Sequence, residues 1–314
     1  MLIEVFNELN NVLSLLWQDA NVHLLSPNKR LYWGYLVSTF VLVFLVYRTE
    51  YKKTGVWNWR KSFGREVLFH PSSILDSKIW FINLLIKAWI ITPLLFAVAP
   101  VAIATHKTLT AAFGEITIVA PEWVVLSSFT AFLFVLDDLT RFLLHALMHK
   151  VPFLWRFHRL HHSAEVMTPL TVYRTHPIES FLYASRLLLV NAITIGLGVY
   201  LFKSKVSFYD IAGANVAVFI FNMLGANLRH SQVWLCWNKR IEKWFISPAQ
   251  HQIHHSQATP HIDKNFGTAL AIWDRMAGTL ITSNTTTQDL TFGIKGTKLR
   301  SVMQAYLSPL KKGE

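Results

Sequence analysis

The chain has 314 residues, of which 52% are hydrophobic and 15% charged, and its formal net charge is +12. Such a composition excludes an ordinary soluble domain and points to the membrane. The single cysteine, Cys236, excludes a disulfide framework and a thiolate metal cage. The basic residues flank apolar runs and form no face interleaved with aromatics, so they read as membrane-topology charges and not as a nucleic-acid footprint. The first twenty residues carry Glu4, Glu8 and Asp19 without a basic start, so no cleavable signal peptide is expected.

In chain order, residues 2–25 alternate apolar and polar at helical spacing, as an interfacial helix or the entry to a span would. Residues 31–47 are nearly long enough to cross a hydrocarbon layer of about 30 Å. A basic loop follows, from Arg48 to Lys78. Residues 79–105 read as a second span kinked at Pro93 and Pro100, and 123–149 as a third. After a polar, histidine-rich stretch at 150–180, residues 181–202 and 208–229 read as the fourth and fifth spans, joined by a tight Lys203–Ser207 turn. The remainder is a polar, partly helical tail. The expected fold is all-α: a multi-pass membrane helical bundle of about four to five spans with a cytoplasmic histidine-rich helical cap.

Positive residues gather on the cytoplasmic side of membrane proteins. Placing the 48–78 loop there puts twenty-one Lys and Arg on that side and five on the other. The same assignment, made without regard to histidine, brings every histidine cluster to the cytoplasmic face.

Those clusters carry the chemistry. Residues 145–162 read HALMHKVPFLWRFHRLHH, and His251-Gln-Ile-His254-His255 repeats the ending. Together they hold eight of the fourteen histidines: His145, His149, His158, His161, His162, His251, His254 and His255. On a helix, positions i, i+3 and i+4 share a face, so each HxxHH is expected to point one way. Neutral imidazole is a common ligand for iron, zinc and copper, and eight exceed the needs of one ion and suit two. A bis-histidine haem carrier would not need His-His dipeptides, whose members diverge by about 100° on a helix.

Several further residues are candidates. Asp138 shares the helical face of His145 and His149, and a carboxylate beside metal-bound histidine often holds the second ring nitrogen. Asp137 and Arg141 suit an ion pair. His176 precedes Pro177 and Glu179 at a helix start, where it is a cap or an additional ligand or substrate-orienting group, and Glu179 and Asn227 are further candidates to support the ligands or the substrate. His230 closes the fifth span and is a ligand candidate, with Asn227 one turn earlier. His261 and Asp263 read as outer or surface residues. Pro248 suits a helix start before the second HxxHH, and Asn265-Phe-Gly with Trp273-Asp274 reads as a turn and helix packed under the cluster.

The ordered set of Asp138…His145-x3-His149, His158-x2-His161-His162, Arg174-Thr-His176-Pro-Ile-Glu179, Gln250-His251-x2-His254-His255 and Asn265-Phe-Gly…Trp273-Asp274 resembles the fatty acid hydroxylase / sterol desaturase superfamily of integral membrane di-iron oxygenases. The resemblance covers roughly residues 120–282. One departure is that Gly225 stands where many relatives carry histidine near the last span. The resemblance implies a centre of two Fe ions bound by the eight histidines and His230. It also implies O2 as co-substrate and a lipid substrate that is hydroxylated or desaturated. Electrons would come from a separate donor of cytochrome b5, ferredoxin or rubredoxin type. No catalytic residue separate from the metal ligands is expected. The expected organisation is an N-terminal transmembrane region at 1–120, a catalytic domain at 121–282 and a cytoplasmic tail at 283–314. A bacterial inner membrane is the preferred setting over the endoplasmic reticulum, although Lys311-Lys312 resembles a dilysine retrieval signal. The alternatives are a membrane metal-binding or transport protein, whose ligands would sit near mid-membrane, and the haem carrier.

Overall fold

A computed structural model describes residues 21, 24–203, 210–211, 214–286 and 289–310. The interfacial-helix reading of residues 2–25 and the dilysine pair lie almost wholly outside these residues. Helix α1 (Trp33–Thr54) carries the first apolar run and ends at Gly55, whose φ of 72° lets its N–H turn back to the Tyr51 carbonyl. The last turns of α1 hold Arg48, Glu50, Lys52 and Lys53, so its apolar part falls short of a full span.

The predicted second span is two helices, α2 (Pro71–Leu95) and α3 (Val98–Phe113), and the break falls between Pro93 and Pro100. Pro100 has no N–H to give to the carbonyl of Phe96, four residues earlier, so the helix divides there instead of only bending. Pro71 starts α2, capped by the His70 ring, which accepts from the Ser72 N–H.

Helix α4 (Glu122–Lys150) contains neither Gly nor Pro and runs 29 residues, about 44 Å at 1.5 Å per residue. Extended Val151 and then Pro152 stop it, and α5 (Pro152–His162) starts in a new direction. Helix α6 (Pro177–Phe202) packs along α3 at Gly196, where a Cβ would lie 2.5 Å from the Ala102 carbonyl oxygen. Among the described residues, α4 and α6 are the two helices long and apolar enough to cross a membrane. They expose Leu143, Leu147, Leu189 and Ile193 along their outer faces.

The predicted fifth span is not one helix. Its described part is a short antiparallel pair (Asp210–Ile211 with Ala214–Asn215), then α7 (Val216–Met223), then a 3-10 turn at Ala226–Arg229. Asn215 caps α7, and Gly225, with φ of 96°, reverses the chain after it. Eight residues span only about 12 Å, so α7 alone does not cross a bilayer. Lys203 ends α6 with a left-handed φ of 54°, and the rest of the turn expected at 203–207 lies outside the described residues.

Helices α8 (Pro248–His254) and α9 (Ile272–Ala277) carry the second HxxHH and the Trp273-Asp274 pair. Ser247 and Gln250 form a capping box at the start of α8. The expected tail instead folds back in its described part: α10 (Val302–Leu307) joins a buried cluster of Leu75, Ile79, Leu160, Leu299 and Ala305. Those side chains come from α2 and α5 as well as the C-terminal stretch, so the tail covers part of the core.

Arg174, 1% exposed, pairs with fully buried Asp76 at 2.7 Å. The same guanidinium donates to the Leu160 carbonyl at 3.0 Å and to Ser163 Oγ at 2.9 Å, so it clamps the end of α5 to α2. Asp76→Ala leaves a buried guanidinium without its counter-charge, an expected loss of about 3–5 kcal/mol. Thermal denaturation in detergent checks this, and a melting temperature unchanged from the parent would contradict it.

Candidate metal centre

The nine expected ligands converge in two adjoining groups. One comprises His145, His149, His158, His162 and His254, the other His161, His230, His251 and His255, with ligand atoms within 4.8 Å of one another in each. The groups meet where the rings of His162 and His255 stack with centroids 4.3 Å apart.

Each HxxHH is divided between the groups, contrary to the single direction expected. His158 and His162 point into the first group and His161 into the second; His251 and His255 point into the second and His254 into the first. Positions i and i+4 differ by only about 40° on a helix, whereas adjacent positions differ by about 100°. A His-His dipeptide therefore serves two centres at once.

Backbone carbonyls and one carboxylate aim the rings. His145 Nδ1 donates to the Phe266 carbonyl at 2.7 Å, His254 Nδ1 to the Lys264 carbonyl at 2.7 Å, and His158 Nδ1 to Glu179 Oε1 at 3.0 Å. A ring that donates from Nδ1 keeps its lone pair on Nε2. In the first group the Nε2 atoms of His149, His158, His162 and His254 are buried without any hydrogen-bond partner. Buried polar atoms are normally satisfied, so four unpartnered ring nitrogens in one group of ligand atoms within 4.8 Å of one another fit a cation. In the second group, Nε2 atoms lie 3.1 Å (His161–His230), 3.0 Å (His230–His251) and 3.2 Å (His251–His255) apart. Nitrogens at right angles around an ion at about 2.1 Å would be separated by about 3 Å. The donor set is nitrogen alone, which suits iron, zinc or copper and not magnesium or calcium.

Burial favours the neutral form of six of the rings. It pulls the imidazoles of His161, His162, His230, His251 and His255 well below 6.5 and that of His254 down to about 3, and neighbouring histidines add to the effect in most of them.

The other candidates fall differently. Asp138 touches no histidine. It accepts from the Ala269 and Leu270 N–H groups at 2.9 and 3.0 Å and from the Trp273 indole at 2.9 Å, so it pins the loop that carries Phe266. Its helical face is shared with His145, as expected, but both meet the same loop, and the nearest acceptor for His145 is the Phe266 carbonyl. His176 is the cap of α6: its Nδ1 accepts from Ile178 N–H at 3.1 Å and its Nε2 faces the Tyr306 carbonyl at 3.2 Å. Asn227 donates to the Arg30 carbonyl at 2.9 Å. Neither His176 nor Asn227 belongs to either group. Of the two carboxylates considered for holding a ring, Glu179 does so, on His158, and Asp138 does not. Glu179→Gln keeps the shape but weakens the charge-assisted bond, with an expected 10–100-fold loss of metal affinity, measurable by competition with a chelator.

Asp137 pairs with Arg141, as expected, and also with Arg186, each at 2.8 Å. Asp274 accepts from the Phe266 and Gly267 N–H groups at 2.9 and 2.7 Å, fixing the turn under the cluster. Asp263 is closer to the site than expected, with Oδ1 3.6 Å from His149 Nδ1. Arg229 went unassigned in the sequence, yet its Nη2 donates to His251 Nδ1 at 2.8 Å. The available signal was an arginine beside His230 at the end of an apolar stretch.

Two long apolar helices and two adjoining, buried groups of histidines define a protein suited to a membrane and able to hold metal through nitrogen ligands. Residues 130–279 match the family described as fatty acid hydroxylase. It is similar to an ornithine lipid hydroxylase, OlsE, of Rhizobium tropici, with 29% identity over 46% of this chain and 39% of that protein. It is also similar to human alkylglycerol monooxygenase, at 26% over 50% of this chain and 31% of that protein, and to mouse cholesterol 25-hydroxylase, at 28% over 51% and 49%. The chain thus spans about half or less of the length of these relatives. No solved structure gives a significant match.

Proposed function

We propose that this protein is a membrane lipid hydroxylase with a di-iron centre. The observation that carries the reading is the pair of all-histidine groups buried against one another within the fatty acid hydroxylase domain. His145, His149, His158, His162 and His254 would hold one ion, and His161, His230, His251 and His255 the other. When bound, the irons supply O2 activation, with electrons from a separate donor of cytochrome b5, ferredoxin or rubredoxin type.

The chain's own residues do the rest. Glu179 and the carbonyls of Phe266 and Lys264 fix the ring orientations, so the nitrogens are preorganised before metal enters. Phe266 packs beside His145, His149 and His254 and helps to exclude water from the centre. His145 and His149 lie in the last two turns of α4, so a lipid tail reaches them from the bilayer side of that helix. The names of the relatives support a lipid substrate. The basic stretches after the first span support a cytoplasmic site in a multi-pass protein, with a bacterial inner membrane as the preferred setting; Arg30, which that topology puts on the other side, instead lies beside Asn222 and Asn227.

The test combines metal analysis of the purified protein with lipid mass spectrometry of cells that do and do not express it. The expected result is about two irons per chain, no Soret band, and a lipid that gains one oxygen. A loss of two hydrogens would make the enzyme a desaturase. A Soret band, or iron without any change in lipids, would overturn the reading.

A further inference from the structure

The surroundings of the centre carry more positive charge than the chain neutralises. Arg229 is buried, and its guanidinium bonds to His251 and, at 3.3 Å, to the Gly267 carbonyl, neither of them an acid. It lies 5.8 Å from the centroid of the Phe221 ring, and Arg30 lies 5.7 Å from the same centroid. Arg30 Nη1 donates to the neutral Asn222 side chain at 2.6 Å. On α2, Lys87 Nζ sits 5.8 Å from the centroid of the Tyr173 ring, and Arg30 is within electrostatic reach of that tyrosine. Among the described residues, Arg30, Lys87 and Arg229 have no carboxylate at ion-pair distance; Glu179 acts on Lys87 and Asp138 on Arg229 only at longer range.

The nearby acids are already engaged. Asp137 serves both Arg141 and Arg186, Asp138 is taken by two amides and an indole, and Glu179 holds His158. Five cations thus face three carboxylates. Bound metal adds positive charge to the same region. Cations withdrawn from water in an apolar bundle are retained where an anion offsets them. Burial lowers the Arg30 guanidinium to about 10, which leaves it charged at neutral pH. Arg30 and Lys87 keep part of their surface exposed, whereas Arg229 is enclosed.

We propose that the lipid substrate carries an anionic headgroup, a carboxylate or a phosphate, which Arg30 and Lys87 hold on either side of Tyr173. The proposal rests on the lipid-hydroxylase reading for the existence of a lipid, and adds its chemical class. Arg229 contributes to the same field from behind the Phe221 ring while it fixes His251. Asn222 orients Arg30, and Asn227 anchors the Arg30 backbone.

The experiment measures binding to the metal-loaded protein in neutral detergent, without turnover. The probes are octadecanoate, octadecyl phosphate, octadecanol and inorganic phosphate. The expected result is that at least one of the two anionic lipids binds about tenfold or more tightly than the alcohol. Arg30→Gln and Lys87→Gln each remove most of that preference and leave the affinity for octadecanol unchanged. Arg30→Lys and Lys87→Arg keep the charge and retain the preference, which separates lost charge from lost folding. Equal affinity for acid and alcohol, no binding of any lipid, or preference intact in both Gln variants would overturn the proposal. Inorganic phosphate binding as tightly as octadecyl phosphate would also overturn it, because the site would then hold a free anion. Absence of lipid oxidation would count against the hydroxylase reading alone, because the binding preference is measured independently.

Discussion

His254→Ala and His161→Ala are each expected to abolish metal loading and lipid turnover, although the two residues belong to different groups. His254 contributes one of the four orphaned Nε2 atoms of the first group. Its removal leaves a void between His145, His149 and His162, whose ring centroids lie 4.6, 4.7 and 4.8 Å from its own. His161 is an end of the second group's chain of Nε2 contacts and takes its nearest nitrogen from His230. The second group has only four nitrogens, so losing one leaves three. The rings of His162 and His255 stack across the boundary, so a cavity in either group disturbs the other. Iron per chain, read by elemental analysis, should fall from about two to one or fewer, and the oxygenated lipid should disappear. Full iron content and turnover in either variant would refute the assignment of these histidines. The size of the effect follows from chemistry: a deleted ligand removes a metal bond, whereas Glu179→Gln only loosens the orientation of one.

The second large effect is on pH. The metal-free protein should lose stability steeply as pH falls below 6.5. Six rings outside the two long apolar helices, His161, His162, His230, His251, His254 and His255, have folded values lowered mainly by burial. In the unfolded chain they protonate near 6.5. Below that pH the unfolded state binds more protons than the folded state, so stability rises with pH. The contribution is therefore complete above 6.5 and is lost progressively as pH falls toward the lowered folded values, about 3 for His254. Each ring that stays neutral in the folded state adds about 1.4 kcal/mol per pH unit to the slope. Bound metal competes with protons for the same nitrogens, so the loaded protein should hold its melting temperature to lower pH. Denaturation of chelator-treated and iron-loaded protein between pH 7.5 and about 5 checks both statements. A flat profile for the metal-free protein would show that the rings are not buried as neutral groups.

Much of the centre was legible because metal chemistry is written in residue type and spacing. An apolar chain with His-x3-His and two His-x2-His-His motifs has few other uses for so many imidazoles, and the order of the motifs resembled one family. The nine residues named from the sequence are the nine that meet. Charge and hydropathy also placed α4 and α6, because long uninterrupted apolar helices announce themselves by length. The broken second and fifth segments were less legible. A run of apolar residues reads as a span whether or not Pro93, Pro100 or Gly225 divides it, and a backbone reversal depends on neighbours such as Leu42 and Leu235 around Gly225.

The sequence by itself determined the kind of centre, since ligand type and number are properties of side chains. Only the tertiary structure decided how the histidines are shared between the two groups, because that depends on the helix rotation at each dipeptide and on the loop that meets α4. It likewise decided that Glu179, and not Asp138, grips a ring, and that Arg229 reaches His251. Those partners are 21, 131 and 22 positions apart in the chain, and packing, not local spacing, brings them together.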